Sequence, residues 1–228
     1  MKGIIFDLDG VLVDSMTAHY KAWKTALEEI TSLQVDERSI YLLEGMRGID
    51  LVEEIFKKYN YTDLPKTQVV IRRKDELFKS EMNIRPYDKV NDILQELRCI
   101  MGIVSGSSKQ DVISIMKQCF QENIFEIVLT GDDIMQGKPD PEGFKLFLQR
   151  ANLNPSDALV VENSPLGVKA SNNAGIKPIV VLNNSPLSAN DFVPMIANDR
   201  IYRETKNIEN KLVKWCDYDN GNYEDEGP

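Results

Sequence analysis

Five short runs of apolar, β-favouring residues, at 2–7, 100–105, 124–130, 158–162 and 176–182, constrain this chain more than any other feature. Continuous runs of that length are the pattern of strands buried on both faces of a parallel sheet. Between them the apolar residues recur with helical period: Val90, Ile93, Leu94 and Leu97; Val112, Ile113 and Met116; Phe144, Phe147 and Leu148; Leu166, Val168 and Ala170. Strands alternating with helices predict an α/β fold, a Rossmann-like parallel sheet core with helices on both faces. The alternation fails between residues 16 and 82. Helical patterns follow one another there without a strand, beginning with Ala18, Ala22 and Ala26 beside Trp23 and Leu27, and continuing through 40–43, 51–56 and 69–78. The simplest topology is a helical domain, 16–82, inserted after strand one into a core formed by 1–15 and 83–216.

Composition narrows the function classes. With 27 Lys+Arg against 36 Asp+Glu the net charge is −9, so a broad basic patch and a nucleic-acid partner are not expected. The 42% hydrophobic and 28% charged content is that of a soluble globular chain with a substantial core. No apolar run approaches the ~18 residues of a membrane span. Asp7 and Asp9 interrupt the first hydrophobic stretch and spoil a signal-peptide reading as well. Cys99, Cys119 and Cys216 are widely spaced with no C-x-x-C, so neither a disulfide framework nor a zinc site is expected. The expectation is a reduced, cytoplasmic monomer or weak homodimer. Residues 217–228 hold Asp217, Asp219, Glu224, Asp225 and Glu226 and no basic residue, which predicts a frayed acidic tail.

In open parallel sheets ligands bind outside the carboxyl ends of the strands. Four such ends carry polar groups. After strand one come Asp7-Leu8-Asp9-Gly10, two carboxylates two residues apart that repel unless a cation such as Mg²⁺ lies between them. Ser105-Gly106-Ser107-Ser108 precedes a helix and offers backbone N–H groups to an anion, although an ordinary capped loop has the same composition. Gly137-Lys138-Pro139-Asp140-Pro141 fixes one lysine in a stiff turn, and a surface lysine there is the plain alternative. Glu162-Asn163-Ser164-Pro165 ends another strand with a carboxylate and an amide before a helix, where a helix cap is the alternative. Together they would supply a cation site, an anion trap and a lysine.

These residues resemble the four motifs of the haloacid dehalogenase superfamily: D-x-D-G, a Ser/Thr, a Lys and an acidic metal-binding pair. The spacing is similar to the β-phosphoglucomutase-like phosphatase branch, with a helical cap between the first two motifs. The resemblance implies that Asp7 is the nucleophile forming an aspartyl-phosphate and Asp9 the general acid/base. Ser105, with the Gly106 and Ser107 amides, would hold the phosphoryl group and Lys138 would bridge its charge to Asp7. Mg²⁺ would be bound by the Asp7 carboxylate, the Asp9 carbonyl and Asn163, with Glu162 close by. Asn163 stands where many relatives have Asp, which predicts weaker Mg²⁺ affinity.

Within the insertion His19, the only histidine, and Trp23 share a helix face and match positions lining the cleft of that branch, although Trp23 equally suits core packing. The loop around Glu44, Gly45, Arg47 and Gly48 should face the active site. It has Glu44 and Gly48 where the mutase pattern has Lys and Arg, which counts against holding two phosphates. Glu44 could meet the metal or a substrate ammonium or hydroxyl, and Arg47 a distal anion. The expected function is a Mg²⁺-dependent phosphohydrolase acting on a small phosphorylated metabolite. Inorganic pyrophosphatase, sugar phosphomutase and a non-catalytic binding protein on the same fold are the alternatives.

Overall fold

The computed structural model describes residues 1–80 and 83–217. Six strands form one parallel sheet: β1 (Gly3–Phe6), β2 (Ile100–Val104), β3 (Ile127–Leu129), β4 (Ala158–Glu162), β5 (Lys177–Val181) and β6 (Ile201–Tyr202), in the order β3-β2-β1-β4-β5-β6. The residues of β1 and β4 are all buried, which is why their sequences are continuously apolar. Phe6 pairs with Ile103 on one side and Val161 on the other, so the chain segments that follow β1, β2 and β4 leave the sheet along one edge.

Four helices lie between β1 and the rest of the sheet: α1 (Met16–Thr31), α2 (Glu37–Leu42), α3 (Gly48–Lys58) and α4 (Thr67–Ser80). They enclose an apolar cluster of their own that includes Trp23, Ala26, Leu27, Ile40, Val52, Ile55, Phe56 and Val70. Full burial of a side chain such as Phe56 contributes about 2–3 kcal/mol. The two strands of chain entering and leaving this insertion are paired: Val13 bridges Pro86, Asp14 N–H donates to the Arg85 carbonyl at 2.9 Å, and Tyr87 N–H to Leu12 at 3.0 Å. Phe78 and Ala22 also pack into the cluster beside β1, so the insertion rests on the sheet.

The sheet is flanked by α5 (Val90–Glu96), α6 (Lys109–Cys119), α7 (Glu142–Ala151), α8 (Pro165–Asn173) and α9 (Glu209–Asp217). Three expectations are corrected. β3 begins at Ile127 rather than 124, because Phe125 turns into the core against Phe6 and Phe120. Asp217 closes α9 instead of opening a tail, since Leu212 and Cys216, one turn apart, are both buried; the rest of the expected tail, 218–228, lies outside the described residues. Cys99 and Cys216 form a disulfide, against the expectation of none, with Cα atoms 5.2 Å apart across a sequence separation of 117. The cause is that α9 folds back over the start of β1 and β2, where the Trp215 indole donates to the Gly3 carbonyl at 3.2 Å. No helix among the described residues is long and apolar enough to cross a membrane.

Candidate active site

β1 ends by delivering Asp7, whose N–H still bonds the Val161 carbonyl at 3.0 Å, into the buried junction of three strand ends. Lys138 reaches it from the turn before α7, pairing with Asp7 Oδ1, with Glu162 Oε1 at 2.6 Å and with the Val104 carbonyl at 3.1 Å. Burial pushes the Asp7 carboxyl up to about 7; Lys138 opposes that shift, whereas Glu162 and Asp9 add to it. Burial alone would lower the Lys138 ammonium, but the charges of Asp7 and Glu162 outweigh it and the net shift is upward.

Asp9 is held differently. Its Oδ1 accepts from Ser15 Oγ at 2.5 Å and lies 3.0 Å from His19 Nε2, while Oδ2 accepts from Ser107 Oγ at 2.8 Å and from Ser105 Oγ at 3.5 Å. Burial works to raise its pKa, yet His19 and the hydroxyls of Ser15 and Ser107 prevail and hold it well below the usual carboxylate range. The His19 ring is fixed by stacking on Phe78 at 3.9 Å.

After β2, Ser105 and Ser107 open the turn that enters α6, with Ser108 as its N-cap accepting from Asp111 N–H at 3.2 Å. The turn is covered by the insertion: a Cβ on Gly106 would stand 2.4 Å from the Gly45 carbonyl oxygen and 2.6 Å from that of Met46. Glycine is therefore required at 106 for this close approach. From the same insertion loop Glu44 descends to the sheet edge, where its Oε1 accepts from Asn163 Nδ2 at 2.8 Å. That amide also donates to the Asp9 carbonyl at 3.2 Å. Burial, with the charge of Asp7 next, raises Glu44 well above its ordinary value. Glu162 is positioned by bonds from Asn163 N–H and from Ser164 N–H and Oγ, all on Oε2.

A cavity of about 320 Å³ lies between the insertion and the sheet edge, and Asp7, Asp9, His19, Trp23, Glu44, Arg47, Ser105, Gly106 and Ser107 all line it. Lys138 approaches Asp7 from a smaller adjoining pocket; Glu162, paired with Lys138, and Asn163 line neither, and Asn163 lines a separate pocket with Gly10, Asp14 and Asn183. Trp23 serves two purposes, packing in the insertion's core while facing the cavity. Arg47 lines the wall, but its guanidinium forms a bidentate pair with Asp50, both contacts at 2.8 Å. Lys74 of α4 also lines the cavity and is buried. The sequence carried no signal for it, because a lone Lys in a charged amphipathic helix reads as solvated surface.

The donors suit a hard cation. No cluster of three or more His, Cys, Asp or Glu side chains gathers to hold a metal among the described residues; the candidates are instead the Asp7 carboxylate, the Asp9 carbonyl and the Asn163 amide. Asn163 Oδ1 and Glu44 Oε2 are buried and without a hydrogen-bond partner; beside them Asp7 and Glu162 share the one ammonium of Lys138, and Asp9 meets His19. Unmatched buried oxygens beside excess negative charge are what a divalent ion satisfies.

A family model described as haloacid dehalogenase-like hydrolase matches residues 4–181. The chain is 26% identical over 184 residues to a phosphorylated carbohydrates phosphatase of Thermotoga maritima, covering 78% of this chain and 84% of that one. It is 24% identical over 230 residues to the β-phosphoglucomutase of Bacillus subtilis, covering 96% and 97%. The crystal structure of a hydrolase from Pseudomonas syringae shares the fold with a TM-score of 0.83 at 21% identity, over 94% of this chain and 99% of that one.

Proposed function

The chain belongs to the haloacid dehalogenase-like hydrolases, and from that premise we propose that it is a Mg²⁺-dependent phosphatase of small phosphorylated metabolites, phosphorylated sugars foremost, working through a phosphoenzyme on Asp7. The observation that carries this reading is that three separate chain segments bring Asp7, Asp9 and Ser105 to one cavity and Lys138 onto Asp7 from the adjoining pocket. A buried carboxylate beside an ammonium is an oxygen nucleophile with its charge neutralised but its lone pairs available. Asp7 attacks phosphorus; the P–O bond to the leaving group breaks, and the leaving oxygen takes a proton from Asp9. Asp9 rests as a carboxylate, so it must first gain that proton; His19 Nε2 lies 3.0 Å from its Oδ1. Asp9 then removes a proton from the water that hydrolyses the phosphoenzyme. Ser105 and the turn amides hold the phosphoryl oxygens, and Lys138 balances their charge. Asp7, the Asp9 carbonyl and Asn163 would hold Mg²⁺, with Glu44 and Glu162 adjacent; bound there, the ion neutralises phosphoryl charge. The insertion acts as a cap that excludes water.

Arg47 is committed to Asp50 and Glu44 stands where a mutase needs a cation, which weighs against mutase activity. Pyrophosphate as substrate is the second reading, favoured by Lys74 as a cation on the wall of a small cavity. The test is phosphate release from p-nitrophenyl phosphate, sugar phosphates and pyrophosphate with Mg²⁺ or EDTA, with Asp7→Asn as control. Release that needs both the metal and Asp7 is expected; no release from any substrate would favour a binding protein on this fold.

A further inference from the structure

Lys74 is only 5% exposed, and its ammonium lies 4.7 Å from the centre of the Phe78 ring. It bonds Asp75, its neighbour on α4, at 3.3 Å and Asp111 at 3.4 Å. Asp111 belongs to the other lobe. It sits in the first turn of α6, tied through its N–H to Ser108 at the end of the turn 105–108, and is 1% exposed. A carboxylate this buried is tolerated because a cation faces it. Within the site, His19 with Asp9 and Glu44 with Asn163 also join the lobes through buried contacts; outside it, Lys79 with Gln110 and Arg38 with Asp191 are exposed, and such contacts contribute little. Asp111 does not line the cavity, whereas Lys74 does. An ammonium has three donors, and the two carboxylates account for two of them.

We propose that Asp111 is a positioning residue for substrate specificity: it draws Lys74, and α4 with it, onto the turn 105–108, so that the third N–H faces the anionic far end of a substrate whose reacting phosphoryl group occupies that turn. The inference rests on the phosphohydrolase reading and extends it, since it makes the core lobe decide when the cap's cation is presented.

Calorimetry on the full chain separates the possibilities, using methylenediphosphonate, which carries a second anion, and orthophosphate, which does not. Asp111→Asn should weaken methylenediphosphonate about tenfold, within the coupling range of contacting residues, and orthophosphate less than about twofold. Asp111→Glu should recover most of the loss. In a Lys74→Met background, Asp111→Asn should change nothing further. Equal losses for the two ligands, tighter diphosphonate binding, or an additional loss without Lys74 would each overturn the proposal. Should Asp111→Asn fail to fold, Lys74→Met/Asp111→Leu removes both charges and is compared with Lys74→Met: equal affinities are expected, and a further loss refutes the pairing. Asp7-dependent phosphate release is read separately. Its absence with the diphosphonate difference intact would sink the hydrolase reading and leave the positioning pair standing.

Discussion

Asp7 and Asp9 are two residues apart yet are driven in opposite directions, and that contrast sets the chemistry assigned to each. Asp7 is buried beside other acids, so a proton competes for it near neutrality; Asp9 is surrounded by donors and rests ionised. Replacing Asp7 by Asn should abolish phosphate release, by at least about 10³-fold, whereas Asp9→Asn should leave a slow enzyme that accumulates phosphoenzyme, visible as a mass increase in the intact protein. Turnover by Asp7→Asn near the wild-type rate would refute the covalent route. A proton on Asp7 also excludes a cation from its carboxylate. Because the folded pKa is raised to about 7, Mg²⁺ affinity should climb as pH rises from 5.5 toward 7, by up to about tenfold per unit, and level off above it. Calorimetric titration across that range would contradict this if affinity were flat. The carboxylates, Ser105 and Lys138 were legible in the sequence because each follows a strand or sits in a stiff turn, where local pattern fixes position. Lys74 and the Glu44–Asn163 contact were not, since 119 residues separate that pair and only the packing of the insertion brings them together.

Elements whose apolar period is strong were legible to within a few residues: β4 spans the expected 158–162, and the four helices of the insertion fall where the patterns predicted. β6 was not, because its two half-exposed residues on the sheet edge carry no pattern, and α9 was hidden by a sequence rich in charge. The element that most depends on a single atom is the turn after β2. A methyl group at Gly106 would collide with backbone oxygens of Gly45 and Met46, which cannot rotate away as a side chain can. Gly106→Ala should therefore leave the core folded, with Tm changed by only a few degrees, while holding the insertion off the turn. A displacement of an ångström at a reacting group can cost about 10²-fold, so kcat/KM should fall by at least about tenfold. Thermal melts and initial rates check both halves. A full loss of folding would assign Gly106 to the sheet's own packing instead, and an unchanged kcat/KM would show that the two loops need not meet.

At the scale of the whole molecule the sheet has two ends with separate duties. The carboxyl ends of β1 and β2 open onto the cavity, with the end of β4 beside them, whereas the disulfide joins Cys99, just before β2, to α9 at the opposite end. In the chain-entropy view, a crosslink closing more than a hundred residues stabilises by about 4–5 kcal/mol, mostly by restricting the unfolded chain. It does so without touching the site. Reduction, or Cys216→Ser, should therefore lower Tm by about 10 °C or more, while kcat/KM stays within about twofold of the oxidised protein, measured well below the melting range. Thiol titration of the unfolded, unreduced chain should find one reactive cysteine, Cys119, which is free and buried in the fold. Three thiols would show that the pair is only in proximity. An unchanged Tm with the bond demonstrably broken would mean that α9 is held by its own burial, through Leu212, Cys216 and the Trp215–Gly3 bond, and that the crosslink adds no restraint the packing does not already impose.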